Sequence, residues 1–274
     1  MFRAFNLSGL TSDVFARWRE TGLAIAGEQQ ETVTTSLASF ATSNGALAGR
    51  SGRQSWFPQI DADVFIAHSR CDTLIAADLA GWLSDIFGLT PFIDSSIWGN
   101  ADELLMHIDN ECRPNRRRES ISQEKRHDAS SNVHMMFATA LGMMIDHCEC
   151  VIFLNTPRLI FQGEPVDTAQ SPWVYFEVAM ARMARKRQPK RILQPREFVE
   201  QDAHSGPQYV SSLDFSPFTS VDVQTLHDWQ RQFYPTRHRA LDVLYSLTPQ
   251  QREPAPRPTA RTPSRDLFRR LIRG

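Results

Sequence analysis

The sequence predicts an α/β protein in which a parallel sheet is covered by helices on both faces. From about residue 60, short apolar runs alternate with longer segments in which apolar residues have helical spacing. The apolar runs at 63–67, 90–93 and 151–154 are typical of strands buried on both faces. Helices between successive strands imply parallel pairing, and such sheets bind ligands at the carboxyl ends of their strands.

Residues 1–57 are predicted to be a partly helical N-terminal extension outside the main domain, which is expected to span 58–250. Apolar and aromatic residues have helical spacing near the start of this segment: Val14, Phe15, Trp18, Leu23 and Ile25. A glycine- and serine-rich stretch at 44–53 is predicted to be a linker or a mobile loop.

The first strand of the main domain is predicted at 63–67, and it is followed by a helix at 72–87 and a strand at 90–93. Gly88 separates that helix from the second strand, at the position where a C-terminal cap is expected. A further helical segment is predicted at 101–110. The basic stretch near 112–130 interrupts the pattern and is expected to be an insertion outside the core.

The second half of the domain begins with a helix predicted at 133–145 and a third strand at 151–154. A helix at 173–185 ends in a Lys/Arg cluster, which suits a helix C-terminus. Ile192 and Leu193 are a candidate fourth strand. At least one amphipathic helix is predicted around five apolar residues: Leu226, Trp229, Phe233, Leu241 and Leu244.

The Pro- and Arg-rich tail at 251–274 is predicted to be a solvated, flexible appendage, although its positive charge could also bind a partner or nucleic acid. The net charge of −1 over 274 residues argues against a surface built for nucleic acid or anionic membrane. No apolar run approaches the roughly 18–20 residues needed to span a bilayer, and no signal-peptide pattern is present. We therefore expect a cytoplasmic protein with no membrane association.

The four cysteines are too few and too irregularly spaced to predict a disulfide framework. His147, Cys148 and Cys150 lie close together in the sequence, but no second group of ligands completes a zinc shell. Cys148 and Cys150 are instead expected to pack where the third strand begins. We expect no metal and no bound cofactor.

Four motifs, in this order, resemble those of a TIR (Toll/interleukin-1 receptor) domain. They are Asp-Val-Phe-Ile-Ala-His-Ser at 63–69, Phe-Ile-Asp at 92–94, Val-Ile-Phe-Leu-Asn at 151–155 and Ser-x-Trp-Val-x-x-Glu at 171–177. Ala67 and Val174 depart from the serine and cysteine usual in the family. The resemblance implies a flavodoxin-like fold and places residues 95–100 in the family's BB loop.

In the TIR domains that cleave NAD, the catalytic glutamate occupies the position of Glu177, so the resemblance implies that Glu177 is catalytic and that NAD is the substrate. Pro172 suits the first position of the helix, and Glu177 then lies in its second turn. Nicotinamide is a cationic leaving group that needs no general acid, so one carboxylate near the developing oxocarbenium ion is sufficient.

Five further residues are assigned to substrate binding. Trp98 and Trp173 are expected to hold the rings, while Ser69, Arg70 and Asp72 line the loop after the first strand of the main domain. A core position for Trp173 is as well supported as ring binding. A surface role for Arg70 is likewise as well supported as substrate binding. His68 could be a base, but a histidine that ends a buried strand more often bonds a neighbouring loop, so its role is taken as structural.

The favoured prediction is an NAD-cleaving TIR enzyme in bacterial defence signalling. Its product, whether linear, cyclic or conjugated ADP-ribose, stays open. Family resemblance also implies a homo-oligomer formed through TIR–TIR contacts, and a downstream effector could sense the product. The alternatives are a non-catalytic TIR scaffold, in which Glu177 is only a surface charge, and another doubly wound enzyme acting on nucleosides, such as a deoxyribosyl transferase.

Overall fold

The computed structural model describes residues 1–44, 58, 60–95, 123–157, 172–191, 215, 218–232 and 237–249. Within them lie five strands: β1 (Arg3–Ser8), β2 (Val64–Ala67), β3 (Pro91–Ile93), β4 (Cys150–Asn155) and β5 (Thr219–Asp222). The α-helices are α1 (Arg19–Asn44), α2 (Thr73–Phe87), α3 (Gln123–His147), α4 (Pro172–Met183), α5 (Val223–Arg231) and α6 (Arg237–Leu247). Short 3₁₀ helices at Ala16–Trp18 and Arg70–Asp72 precede α1 and α2.

The five strands form one sheet in the order β3-β2-β4-β1-β5, and every pairing is parallel. The register aligns the first residues of the three central strands, because Cys150 of β4 lies opposite both Val64 of β2 and Arg3 of β1. The predicted parallel sheet and flavodoxin-like α/β class are confirmed. The strands predicted at 63–67, 90–93 and 151–154 correspond to β2, β3 and β4.

The N-terminal segment is where the structure differs most from the sequence-based prediction. Residues 1–57 were expected to be an extension, yet β1 lies inside the sheet between β4 and β5, with Phe5 and Leu7 buried. The apolar pattern of β1 is broken by Arg3 and Asn6, so it does not resemble a buried strand in sequence. Residue 58 therefore does not begin a self-contained domain. The fourth strand predicted at Ile192 and Leu193 lies outside the described residues.

Helices cover both faces of the sheet, as predicted, and alternate side chains of each strand supply two separate cores. On β2, Phe65 and Ala67 pack with α3 and α4, while Val64 and Ile66 face the opposite core. That second core also contains residues of α2, α5 and α6. The described residues thus form a sheet that is apolar on both sides, which directs polar chemistry to its ends.

Two glycines allow the N-terminal segment to pack closely against α2. A Cβ atom on Gly22 of α1 would lie 1.8 Å from the carbonyl oxygen of Ala77, and one on Gly81 of α2 would lie 2.1 Å from that of Trp18. Neither position can hold a side chain unless the backbones move apart. The predicted helical character of the N-terminal segment is confirmed, but α1 is part of the packed domain.

The other observed helix boundaries agree with the predicted ones in part. Gly88 adopts the left-handed conformation, with φ of 63°, and caps α2 as predicted. The predicted insertion at 112–130 overlaps the beginning of α3, which starts at Gln123 and is longer than the helix predicted at 133–145. The last predicted amphipathic segment forms two helices, α5 and α6. Residues 101–110 lie outside the described part of the chain.

None of the described helices has the length and apolar character needed to cross a bilayer.

Candidate functional site

The candidate site lies at the carboxyl end of the sheet, where the chain leaves neighbouring strands in opposite directions. After β2 the chain continues to β3 at one edge, whereas after β4 it continues through α4 towards β5 at the other edge. The crevice between the ends of β2 and β4 is the position at which doubly wound sheets bind ligands. Two groups of polar side chains follow these strands.

The first group joins the segments that follow β2 and β4. Ser69 ends the extended backbone after β2, and its hydroxyl oxygen accepts a 3.1 Å hydrogen bond from the backbone N–H of Cys71. Asp72 is buried, and its carboxylate accepts a 2.6 Å hydrogen bond from the hydroxyl of Thr156, directly beyond β4. This contact connects the two sides of the crevice.

The second group begins with His68 and Asp94, the residues that follow β2 and β3. The carboxylate of Asp94 accepts a 3.2 Å hydrogen bond from the backbone N–H of His68, and its other oxygen lies 2.5 Å from Nδ1 of the same histidine. Both side chains are fully buried. Because the strands are neighbours in the sheet, their ends bring these two residues together.

Glu177 of α4 completes the second group. The helix begins at Pro172, as predicted, and places Glu177 in its second turn with the side chain fully buried. Among the described residues, none donates a hydrogen bond of normal geometry to either carboxyl oxygen. A buried glutamate without a donor is unusual, since buried polar groups are nearly always bonded.

The surroundings of Glu177 alter its pKa. Burial raises the pKa of Glu177 well above its usual value, and the nearby negative charge of Asp94 raises it further. The fold therefore favours the protonated, uncharged form of the Glu177 carboxyl group. Strongly perturbed carboxyl groups in a cluster of this kind are more frequent at functional sites than elsewhere.

The remaining predicted site residues have different surroundings. Arg70 is exposed, and its backbone carbonyl accepts a hydrogen bond from the Thr73 hydroxyl. Trp173 is half-buried, packs against the core on the α3–α4 side of the sheet and stacks on His134, with ring centroids 6.0 Å apart. Trp98 lies outside the described residues. The structure thus groups Ser69 with Asp72, and Glu177 with residues that were not assigned to the site.

Three residues of the site were missed by the sequence analysis. A structural role was predicted for His68, and no role was predicted for Asp94 or Thr156. Each of them directly follows a strand: His68 follows β2, Asp94 follows β3 and Thr156 follows β4. Their common position at strand carboxyl ends was the signal in the sequence that could have identified them.

Within the described ranges, no group of three or more His, Cys, Asp or Glu side chains is arranged to hold a metal ion. Cys148 and Cys150 are buried, as their predicted packing at the start of β4 requires, and burial raises the pKa of both thiols.

No protein-family model matches the chain, and neither the curated proteins nor the solved structures contain a match to it. The class that fold and site define is a doubly wound α/β protein with an acidic cluster at the carboxyl end of its sheet. Assignment to the TIR family stays a prediction from the sequence motifs.

Proposed function

We propose that this protein is a TIR-type enzyme that cleaves the bond between nicotinamide and ribose in NAD, with Glu177 as the catalytic residue. The observation that supports it most is the position of Glu177, buried beside Asp94 at the carboxyl end of the sheet. Ser69 and Asp72 lie on the adjoining segment after β2, where a ligand of a doubly wound sheet would bind.

Glu177 would act in its ionised form. As the bond to nicotinamide breaks, positive charge develops on the ribose, and a carboxylate close to that carbon stabilises it or captures it briefly. The pyridinium ring leaves as neutral nicotinamide, so protonation of the leaving group is not required. Arrival of the cationic nicotinamide ring beside Glu177 favours loss of the Glu177 proton to solvent, because opposite charges lower the pKa of a carboxyl group.

The burial of Glu177 weighs against the non-catalytic scaffold. In that alternative Glu177 is a solvated surface charge, which helix N-termini commonly carry at little cost. A fully buried carboxyl group with a raised pKa is expensive to retain and is not needed for association through a surface. The scaffold therefore leaves the main feature of the site without an explanation.

The nucleoside transferase would also use a glutamate against a glycosidic bond, but its substrate would lack the pyridinium cation. Exchange of bases among assorted nucleosides would reveal this activity.

Under this proposal NAD is a substrate, and the product is released to a downstream effector in a bacterial defence pathway within the cytoplasm. A homo-oligomer would bring the BB-loop region of one copy, which includes Trp98, next to the site of another. Light scattering during the assay tests this assembly. A strictly monomeric protein with full activity would contradict it.

The test of the enzyme is mass-resolved analysis of NAD incubated with purified protein at high concentration. We expect nicotinamide release by wild type and at least a roughly 100-fold loss in Glu177→Gln, as is typical when a transition-state stabilising group is removed. Glu28→Gln, an exposed glutamate on α1, is the matched control and should retain activity. The co-product's mass identifies linear, cyclic or conjugated ADP-ribose. Absence of release from folded, assembled protein would favour the scaffold.

A further inference from the structure

The carboxylate of Asp72 lies at the beginning of α2, a position from which aspartate commonly caps a helix. Its side chain makes no capping hydrogen bond to that helix. It accepts instead from the hydroxyl of Thr156, which lies 84 residues further along the chain, at 2.6 Å. The Asp72 carboxylate is therefore directed across the crevice between the ends of β2 and β4.

Asp222, at the end of β5, shows the usual arrangement for comparison. It caps α5, where its carboxylate accepts from both the backbone N–H and the hydroxyl of Thr225, at 2.8 and 2.7 Å. This Asp–Thr pair lies within one turn of chain and is exposed. The Asp72–Thr156 pair is buried and joins the ends of two strands, so helix capping does not account for it.

The Asp72–Thr156 contact occupies the position at which doubly wound sheets bind their ligands. Asp72 is 0% exposed and Thr156 is 5% exposed. A carboxylate loses its hydration on burial and needs hydrogen-bond donors in compensation. The donor here is a hydroxyl group, and a ribose hydroxyl is the group that acidic residues near the strand ends of such sheets commonly bind.

We propose that Asp72 binds a ribose hydroxyl of the substrate, and that the Thr156 hydroxyl stands in for that group when no ligand is bound. This inference rests on the proposed function, since the ribose belongs to NAD. Binding exchanges one hydroxyl donor for another on the same carboxylate, and no covalent bond is made or broken. Asp72 then selects a hydroxylated substrate, and Thr156 satisfies Asp72 in the empty site.

The exchange determines the direction in which Thr156 affects binding. In wild type, a ligand hydroxyl displaces the Thr156 hydroxyl, so one hydrogen bond to Asp72 is lost for the one that forms. Thr156→Val keeps the shape of the side chain and removes the competing donor. The ligand hydroxyl then restores a donor that the carboxylate has lost, and binding becomes tighter. A contact that only joined the two strand ends would give weaker binding, because its loss would loosen the site.

The experiment is calorimetric titration with ADP-ribose, which retains both riboses of NAD, and with four analogues that each lack one 2- or 3-hydroxyl. We expect Thr156→Val to bind ADP-ribose roughly tenfold more tightly than wild type, an effect typical of one hydrogen bond to a charged group. One of the four analogues should lose this gain, which identifies the hydroxyl. Thr225→Val is the matched control, because it removes a hydroxyl from the exposed Asp222 pair, and it should bind ADP-ribose as wild type does.

A gain that all four analogues retain would overturn the inference, as would Thr156→Val binding no tighter than wild type. Failure of ADP-ribose to bind wild type and Thr156→Val would overturn it as well. Asp72→Leu combined with Thr156→Val tests the carboxylate itself, since apolar groups then replace both partners. This folded double variant should bind ADP-ribose and the four analogues within about twofold of one another. Discrimination as strong as that of Thr156→Val would show that Asp72 is not the acceptor.

NAD cleavage by wild type, measured in parallel, separates failure of this inference from failure of the proposed function. Tighter ADP-ribose binding by Thr156→Val, with no cleavage of NAD by wild type, would support the ribose site at Asp72 and reject the proposed reaction. Cleavage of NAD by wild type, with no gain in binding by Thr156→Val, would support the reaction and reject the role of Asp72.

Discussion

Buried or half-buried ionisable side chains lie at both ends of the sheet, but the two ends place different kinds of side chain next to each other. At the amino end, Arg191 donates to the carboxylates of Glu149, at 2.5 and 2.7 Å, and of Asp242, at 2.8 Å. At the carboxyl end, the charge of one buried acid, Asp94, raises the pKa of another, Glu177. Opposite charges pair at one end, and two buried acids are neighbours at the other.

Under the proposed function, this difference separates a stabilising cluster from a catalytic one. At the amino end, hydrogen bonds to Glu149 raise the pKa of Arg191, so the folded state retains the charged forms. At the carboxyl end, burial raises the pKa of Glu177, so the folded state suppresses its charge. Proteins commonly accept such local conflicts where chemistry requires them. The carboxyl end is therefore the place to look for activity, and the amino end the place to look for stability.

The largest expected effect is the loss of folding when residues 1–9 are deleted. The deletion removes β1 from the middle of the sheet and leaves the facing edges of β4 and β5 without backbone partners. We expect no cooperative unfolding transition by circular dichroism. Deletion of 251–274, predicted from the sequence to be an appendage, is the control and should leave the Tm unchanged. A cooperative transition in the first variant would show that β1 is dispensable.

Arg3→Met should have the next largest effect. Arg3 is buried, and its guanidinium donates to the carbonyl oxygens of Tyr245 and Thr248 and to the Thr219 hydroxyl. Methionine keeps much of the apolar stem but leaves three acceptors without this donor. We expect a loss of about 3 kcal/mol in the free energy of unfolding, measured by urea denaturation.

Arg17→Met is the matched control for that change. Arg17 is exposed and lies over the ring of Trp18, a contact of about 0.5–1 kcal/mol at such a site. Equal losses in the two variants would mean that Arg3 contributes no more than a surface arginine, contrary to the stabilising role of the amino end.

Glu149→Gln should have a smaller effect, of about 1 kcal/mol. Glu149 accepts hydrogen bonds from Arg191 and from the Tyr245 hydroxyl, but the Glu149–Arg191 pair keeps about a fifth to a quarter of its surface exposed. Water and salt screen such a pair. The difference from wild type should shrink in high salt during urea denaturation. A salt-independent loss would indicate that packing, not charge, is responsible.

Much of the fold was predictable because three strands carry uninterrupted apolar runs. The runs at 63–67, 90–93 and 151–154 identified β2, β3 and β4, and the intervening helical segments implied parallel pairing. β1 was missed because Arg3 and Asn6 break its pattern. Its pairing with β4 joins residues almost 150 positions apart, which no local pattern reveals.

The site was predictable only in part, for a related reason. Glu177 was found from its motif, and the raised pKa that singles it out depends on burial and on Asp94, which only the folded chain brings together. The pairing of His68 with Asp94 follows from the adjacency of β2 and β3. The stacking of Trp173 on His134 depends on how α3 packs against α4, which spacing within either helix does not determine.

The most direct test of the contrast between the two ends is the free energy of unfolding of wild type and Glu177→Gln as a function of pH. Because the folded-state pKa of Glu177 is raised, its stabilising contribution is complete below the unfolded pKa of about 4.3 and is lost as pH rises through the folded value. Glutamine is neutral throughout and can donate its amide N–H to Asp94.

We therefore expect Glu177→Gln to be close to wild type near pH 4 and more stable by about 1–2 kcal/mol near pH 8, the cost typical of an uncompensated buried polar group. A variant that is less stable than wild type by a constant amount from pH 4 to pH 8 would contradict the account. It would mean that the ionised Glu177 carboxyl is compensated in the fold, as the charges at the amino end are.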